Sequence, residues 1–432
     1  MKPIRLITLA PGHFHAALVQ KRVLPGVARR CFVYSPLDAD LVAHLGRLAA
    51  FNARQDEPTD WEVEVRAGAD YLDRFLRETP GNAVVLSGKN RPKIDLLLAA
   101  VSANLHVLAD KPWVVEAADL PKLEQALRDA DLREVLAWDM MTERHEVTNR
   151  LARQLVRDPD VFGTWQAGTP THPSLTLESV HHLKKTVAGQ PLRRPWWWFD
   201  PAVSGEAMAD VGTHLADLAL WLIAPDHPVD HRRDVTVLDA DRWPLVLCEE
   251  QFGELSGLPG YPPELAGRVV EGQLYYAGNN SATLAVRGVH VKLTTLWEYE
   301  SAGGDTHAMT ALGTRATVTI RQPPDGVPDV FVTAVRREDH PALAEILRRE
   351  CEGWQFWFPG LTAEDRSAEI RLVIPDALRT GHEAHFAEVL SEFVRYFNAP
   401  RAVPDWERTN VLTKYAITTR AVELARQKRP CV

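Results

Sequence analysis

Residues 4–17 read IRLITLAPGHFHAA, and the fold follows from this stretch. The apolar run 4–10 has the length and the Ile/Leu content of a buried strand, and it ends in a Pro-Gly loop that opens a helical pattern over 15–23. A strand, a tight loop and a helix make the first step of a βαβ unit. The alternation continues outward through CFVYS (31–35), NAVVLSG (82–88) and HVLAD (106–110), with a helix through KIDLLLAAVSA (93–103). EVLAWDM (134–140) reads as a sixth strand, and a helix over about 144–157 leads out. The expected fold class is an N-terminal Rossmann-type, doubly wound parallel sheet over residues 1–142.

From VFGTWQAG (161–168) onward the pattern changes to longer alternating segments: VTVLDA (235–240), VEGQLYYAG (270–278), ATLAVRGVHVKLTTLWEY (282–299) and ATVTIRQ (316–322). Period-two alternation over such lengths predicts a largely antiparallel open sheet with one buried face. Residues 143–432 are therefore expected to form an α+β substrate-binding and oligomerisation domain, with helical periodicity returning over 381–428. A chain of 432 residues supports two cores, and 45% hydrophobic with 25% charged residues is an ordinary globular balance.

A formal net charge of −9 with scattered Lys and Arg offers nothing to a phosphate backbone, so a nucleic-acid partner is excluded. No apolar run approaches the roughly 20 residues of a membrane span, and the expectation is a soluble cytoplasmic protein. Cys31, Cys248, Cys351 and Cys431 stand too far apart for a disulfide framework or a structural zinc site and read as reduced thiols.

The loop 10–17 keeps only Gly12 of a three-glycine phosphate loop, with Ala10 at the first position and His15 at the third. The second strand ends in Tyr34, Ser35 and Pro36, with Asp38 beyond, so NAD and NADP both stay open and Ser35 suits a ribose hydroxyl or a phosphate. In HVLADKPWV (106–114), Lys111 lies at the carboxyl end of a parallel strand, where ligands of open α/β sheets bind, and Pro112 keeps the next backbone out of a helix. In GEAMADVGTHLADLALWL (205–222), Asp210 and His214 are spaced i, i+4 and Asp217 follows three residues later, all on one helical face. Histidine is suited to take a hydroxyl proton near neutrality, a neighbouring carboxylate orients it, and a lysine stabilises alkoxide charge. Lys93 reads as a helix-surface residue.

These segments resemble the Gfo/Idh/MocA family, which pairs an acidic-Lys-Pro strand end with a DxGxHxxD helix in this order. This chain departs by carrying Asp110 where Glu is usual, by its altered glycine loop, and by keeping only part of the nicotinamide-ribose loop in GKNRPK (88–93). The resemblance implies a dehydrogenase using NAD or NADP, with Lys111, Asp210 and His214 catalytic. The implied cofactor set is Gly12, His13, Phe14, Ser35, Ser87, Asn90, Asp110, Lys111 and Pro112.

The segment 176–200, TLESVHHLKKTVAGQPLRRPWWWFD, is similar to one in a sugar-acting branch that shares the PGHFHAA loop. It nominates His181, His182, Lys184, Lys185 and Trp198 for a sugar or glycoside, beside Lys111, Asp210 and His214. Two other readings stand: a solvated basic helix with an aromatic stop, or a zinc or manganese site built from His181 or His182 with His214 and Asp210. The leading function is oxidation of a ring secondary alcohol of a sugar or glycoside, with carbon 3 the candidate position, in a dimer or tetramer. The alternatives are a metal- or cofactor-assisted lyase or epimerase, and a non-catalytic nucleotide or sugar sensor.

Overall fold

The structure is a computed structural model that describes residues 3–187, 189–323 and 326–428; Cys431 lies outside them. The chain divides into two compact units. The first holds the residues up to Thr142 together with Pro195–Gly205 and His382–Tyr415, and the second holds Glu143–Arg194, Glu206–Gly381 and the described residues from Ala416 on.

The first unit is built on β1 (Leu6–Leu9), β2 (Arg30–Ser35), β3 (Glu62–Ala67), β4 (Ala83–Leu86), β5 (His106–Ala109) and β6 (Ala137–Asp139). All pair in parallel in the order β3-β2-β1-β4-β5-β6, the doubly wound arrangement expected. β1 and β4 are buried at every position, as strands covered on both faces must be. The strand order reverses between them, which is where such sheets open a ligand crevice. The edge strand β3 carries Glu62, Glu64 and Arg66 in alternation, a pattern too polar to mark it in the sequence.

The helix after β1 is shorter than expected, spanning only His15–Leu18. Gln20 and Lys21 donate to carbonyls three residues back, on Ala17 and Leu18, so the coil tightens and stops. Gln20 is then fully buried, its carbonyl accepting from Trp61 Nε1 at 2.7 Å, a tertiary contact that local periodicity does not contain.

The second unit holds β7 (Leu175–His182), the short pair β8 (Thr186–Val187) and β9 (Gln190–Pro191), β10 (Val235–Cys248), β11 (Val269–Val270), β12 (Gln273–Val286) and β13 (Val289–Glu298). It continues with β14 (Thr306–Leu312), β15 (Ala316–Arg321), β16 (Asp329–Ala334), β17 (Thr362–Asp365) and β18 (Ile370–Val373). Ten of these form one sheet in the order β10-β12-β13-β7-β14-β15-β16-β18-β17, with β11 also on β12. Every pairing is antiparallel except β13 with β7.

The alternating stretch 282–299 is two strands rather than one: Arg287 and Gly288 take φ of +48° and +83°, the left-handed pair that a two-residue hairpin turn demands. The segment 176–200 is not a basic helix. Its first part is β7, whose alternate residues Leu175 and Leu177 enter the core, and Trp196–Phe199 form a single 3₁₀ turn. The return to helices is seen in His382–Phe397 and Asp405–Lys428, and no helix among the described residues is long and apolar enough to cross a membrane.

Candidate active site

At the end of β1, Ala10 adopts φ +47°, the left-handed conformation for which glycine is normally selected. The backbone path of the glycine loop therefore survives the loss of its first glycine. The amides of Gly12 and His13 both donate to the Ser87 carbonyl, at 3.0 and 3.1 Å, stitching the loop to the end of β4. Gly88 makes that approach possible, because a Cβ there would collide with the Ala10 carbonyl oxygen. A Cβ on Gly12 would lie 3.1 Å from the Trp197 ring and 3.3 Å from Asp40 Oδ2, filling the space in front of the loop.

A cleft opens here at the carboxyl ends of β1, β2 and β4, lined among others by Gly12, Ser35, Asp38, Ser87, Lys89 and Lys93. Its position at the reversal point, the left-handed turn at Ala10 and the close loop approach that Gly88 permits fit a dinucleotide. Asp38 is occupied as the N-cap of the helix Ala39–Ala53, accepting from Leu41 N at 2.9 Å. Asp40, which the sequence did not single out, accepts from Trp197 Nε1 at 2.9 Å.

Lys93 departs from the surface position expected. It is 1% exposed, and its Nζ donates to Asn90 Oδ1 (2.7 Å) and to the carbonyl of Asp110 (2.8 Å), with that of Lys111 at 3.4 Å. It thus clamps the backbone at the end of β5, where Lys111, 8% exposed, precedes Pro112. Asn90 is fixed in turn by donation to the Ser204 carbonyl at 2.7 Å. The Asp110 side chain meets His15 Nδ1 (3.0 Å), His13 Nδ1 (3.3 Å) and the Ser87 hydroxyl (2.8 Å) on one oxygen. Burial opposes the charge on Asp110, but His15, His13 and Lys93 outweigh it and hold the carboxyl well below the usual carboxylate range. Burial dominates His15 and pushes its pKa well below the ordinary histidine value, against the pull of the Asp110 carboxylate. Phe14 turns its ring against both His13 and His15, at 4.3 and 4.4 Å.

In the second unit Asp210 ends the turn Ala207–Asp210 and His214 lies in the first turn of the helix Gly212–Ile223. Val211 between them keeps right-handed angles (φ −74°, ψ −35°), so the coil runs on and His214, 7% exposed, follows one turn after Asp210. Asp217, expected on the same face, is taken up by Arg144, which donates from Nε and Nη2 at 2.6 and 2.7 Å. The Asp210 charge is felt by two fully buried groups: Tyr276, raised well above its ordinary value chiefly by burial, and Arg194, lowered by burial to about 10.

Glu206 anchors this turn. It is 1% exposed and accepts from Arg242 Nη1 (2.5 Å) and Arg426 Nε (2.7 Å). Removing one member of a buried ion pair strands the other, here Arg242, so Glu206→Ala is expected to cost about 3–5 kcal/mol in chemical denaturation. An unchanged midpoint would deny Glu206 this anchoring role.

His181, His182 and Lys185 gather around Asp305, which accepts from His181 Nδ1 (3.1 Å), the His182 amide (2.9 Å) and Lys185 Nζ (2.7 Å). Burial works against that carboxylate, yet His181 and Lys185 hold it far below the usual range. Lys184 instead pairs with Glu254 and Glu300. Trp198, in the first unit, is 5% exposed, so its faces are packed rather than open. Among the described residues, His181, His182, Asp210 and His214 do not converge as a metal-ligand group; the set that does is His13, His15 and Asp110.

The family model described as "Putative oxidoreductase C terminal domain" matches residues 151–426, more than half of the chain. A crystal structure of a putative oxidoreductase from Parabacteroides merdae is 37% identical over 99% of both chains, with a TM-score of 0.95. The chain belongs to the Gfo/Idh/MocA-type oxidoreductases. More distant members share the fold of this Gfo/Idh/MocA-type chain. GenD2 from gentamicin A biosynthesis, in complex with NAD, is 13% identical over 99% of this chain and 96% of its own, with a TM-score of 0.59. KijD10, a 3-ketoreductase from Actinomadura kijaniata in complex with NADP and TDP-benzene, is 14% identical over 98% of both chains, with a TM-score of 0.57. Distant homologues therefore bind NAD or NADP. A comparison with curated proteins finds no match.

Proposed function

We propose that this Gfo/Idh/MocA-type oxidoreductase interconverts a ring secondary alcohol and the corresponding ketone of a sugar or glycoside, preferentially at carbon 3, using NAD or NADP. The observation that carries the reading is Lys111, nearly buried at the carboxyl end of β5, on backbone that Lys93 clamps beside the cleft of the first unit. KijD10, named a 3-ketoreductase and solved with NADP and TDP-benzene, supports alcohol–ketone chemistry at a position 3.

A bound nicotinamide supplies the hydride acceptor. Gly12, Ser35 and Ser87 line the cleft that would hold the dinucleotide. His214 takes the substrate hydroxyl proton, Asp210 one turn earlier orients the imidazole or a neighbouring hydroxyl, and Lys111 stabilises the alkoxide. His181, His182 and Lys185 remain proposed for the sugar, through the frame that Asp305 imposes on them, whereas the packed Trp198 is withdrawn from that set. The same reading places the enzyme in the cytoplasm as a homo-oligomer.

The test is direct. Full-length protein given NAD or NADP and a panel of glucosides should develop the reduced-nicotinamide absorbance, and the product should be the ring ketone. A complete lack of reduced cofactor across alcohols with free ring hydroxyls would sink the proposal.

A further inference from the structure

We propose that His13, His15 and Asp110 form a binding site for one divalent first-row transition-metal cation, of which zinc is the best match. His15 Nδ1 and His13 Nδ1 lie 3.0 and 3.3 Å from the same Asp110 oxygen, and all three donor atoms lie within 4.8 Å of one another. Ligand bonds of about 2.0–2.2 Å at tetrahedral angles place donor atoms roughly 3.3–3.5 Å apart, close to the two His–Asp110 separations seen here. Two imidazole nitrogens and one carboxylate oxygen are a donor set that zinc, iron and manganese all accept, with positions left for water or a further ligand.

The donors are held before any ion arrives. The His13 amide is tied to the Ser87 carbonyl, and the Ser87 hydroxyl donates to Asp110 Oδ2 at 2.8 Å. The His13 and His15 rings meet edge to face at 4.1 Å, and the His15 ring is backed by Phe386 at 4.5 Å. Such supporting contacts orient ligands and raise affinity. His382 brings another imidazole to 5.7 Å from the His15 ring. Access is past His13, whose side chain is 22% exposed against 7% for His15 and 5% for Asp110.

The site adjoins the dinucleotide cleft through Ser87, which lines that cleft and donates its hydroxyl to Asp110. A cation here would pin a loop that carries alanine and histidine in place of two glycines.

Full-length protein freed of metal by chelator and dialysis would be titrated with zinc chloride by calorimetry, without dinucleotide or sugar, and its metal content measured after gel filtration. One equivalent of zinc per chain is expected, with affinity falling by at least about 10²-fold in Asp110→Asn and His15→Gln. Cobalt should give an absorption spectrum of low-coordinate geometry that the variants lose. Should the buried substitutions unfold the protein, His13→Ala, on the partly exposed ring, decides by the same titration. The His181→Ala/His182→Ala double variant should bind zinc as the wild type does. The absence of stoichiometric zinc, or affinity unchanged in every cluster variant, overturns the site. Binding is read without turnover, so neither result depends on the proposed dehydrogenase activity.

Discussion

Substituting His214 by Asn is expected to lower kcat/KM for alcohol oxidation by about 10²–10⁴-fold, the range associated with loss of a general base. Asn keeps a polar side chain of similar reach in the first turn of Gly212–Ile223 but cannot take a proton. Because His214 is only 7% exposed, a structural role must be told apart from a catalytic one. A base lost without structural damage leaves the melting temperature within a few degrees of wild type and lowers kcat while dinucleotide affinity stays unchanged. A purely structural histidine shows the reverse, a lower melting temperature with activity in proportion to folded protein. Full activity in the variant would remove His214 from the mechanism and direct the search for the base to Lys111, His181 and His182.

Lys111→Ala is expected to reduce kcat by about 10²-fold or more, with cofactor affinity and thermal stability nearly unchanged. The argument is differential binding: an ammonium beside the reacting oxygen gains most when that oxygen carries negative charge. Normal turnover would exclude it. Lys93 provides an instructive contrast, because it is a buried clamp. Lys93→Met should leave the carbonyl of Asp110 and Asn90 Oδ1 without their amine donor, and each such loss costs about 1–3 kcal/mol. Its signature is therefore a lower denaturation midpoint, whereas Lys111→Ala reads out in kcat at unchanged stability.

The two lysines show how far local pattern reaches. Both lie in segments whose secondary structure is evident from hydrophobic spacing, Lys93 at the start of the helix Lys93–Ser102 and Lys111 just past β5. Nothing in the spacing of KIDLLLAAVSA reveals that Lys93 turns inward, since that depends on Asp110, 17 residues away. Likewise Asp217 has the spacing of a site residue, yet Arg144, 73 positions earlier, claims it.

The sequence by itself determined the parallel unit apart from its polar edge strand β3, the antiparallel second sheet, the acidic-Lys-Pro strand end and the Asp210–His214 helix. All of these are written in short-range periodicity and in motifs of neighbouring residues, where backbone geometry alone sets the spacing of side chains. Only the tertiary structure decided that Ala10 keeps a glycine's conformation, that the His15–Leu18 helix stops early, and that His181 and Lys185 share Asp305. It also decided that His15 meets Asp110 across 95 residues of chain. The physical reason is the same in each case: burial and charge pairing depend on which distant segments fold together within each unit, and a buried polar group takes its role from the partner that satisfies it.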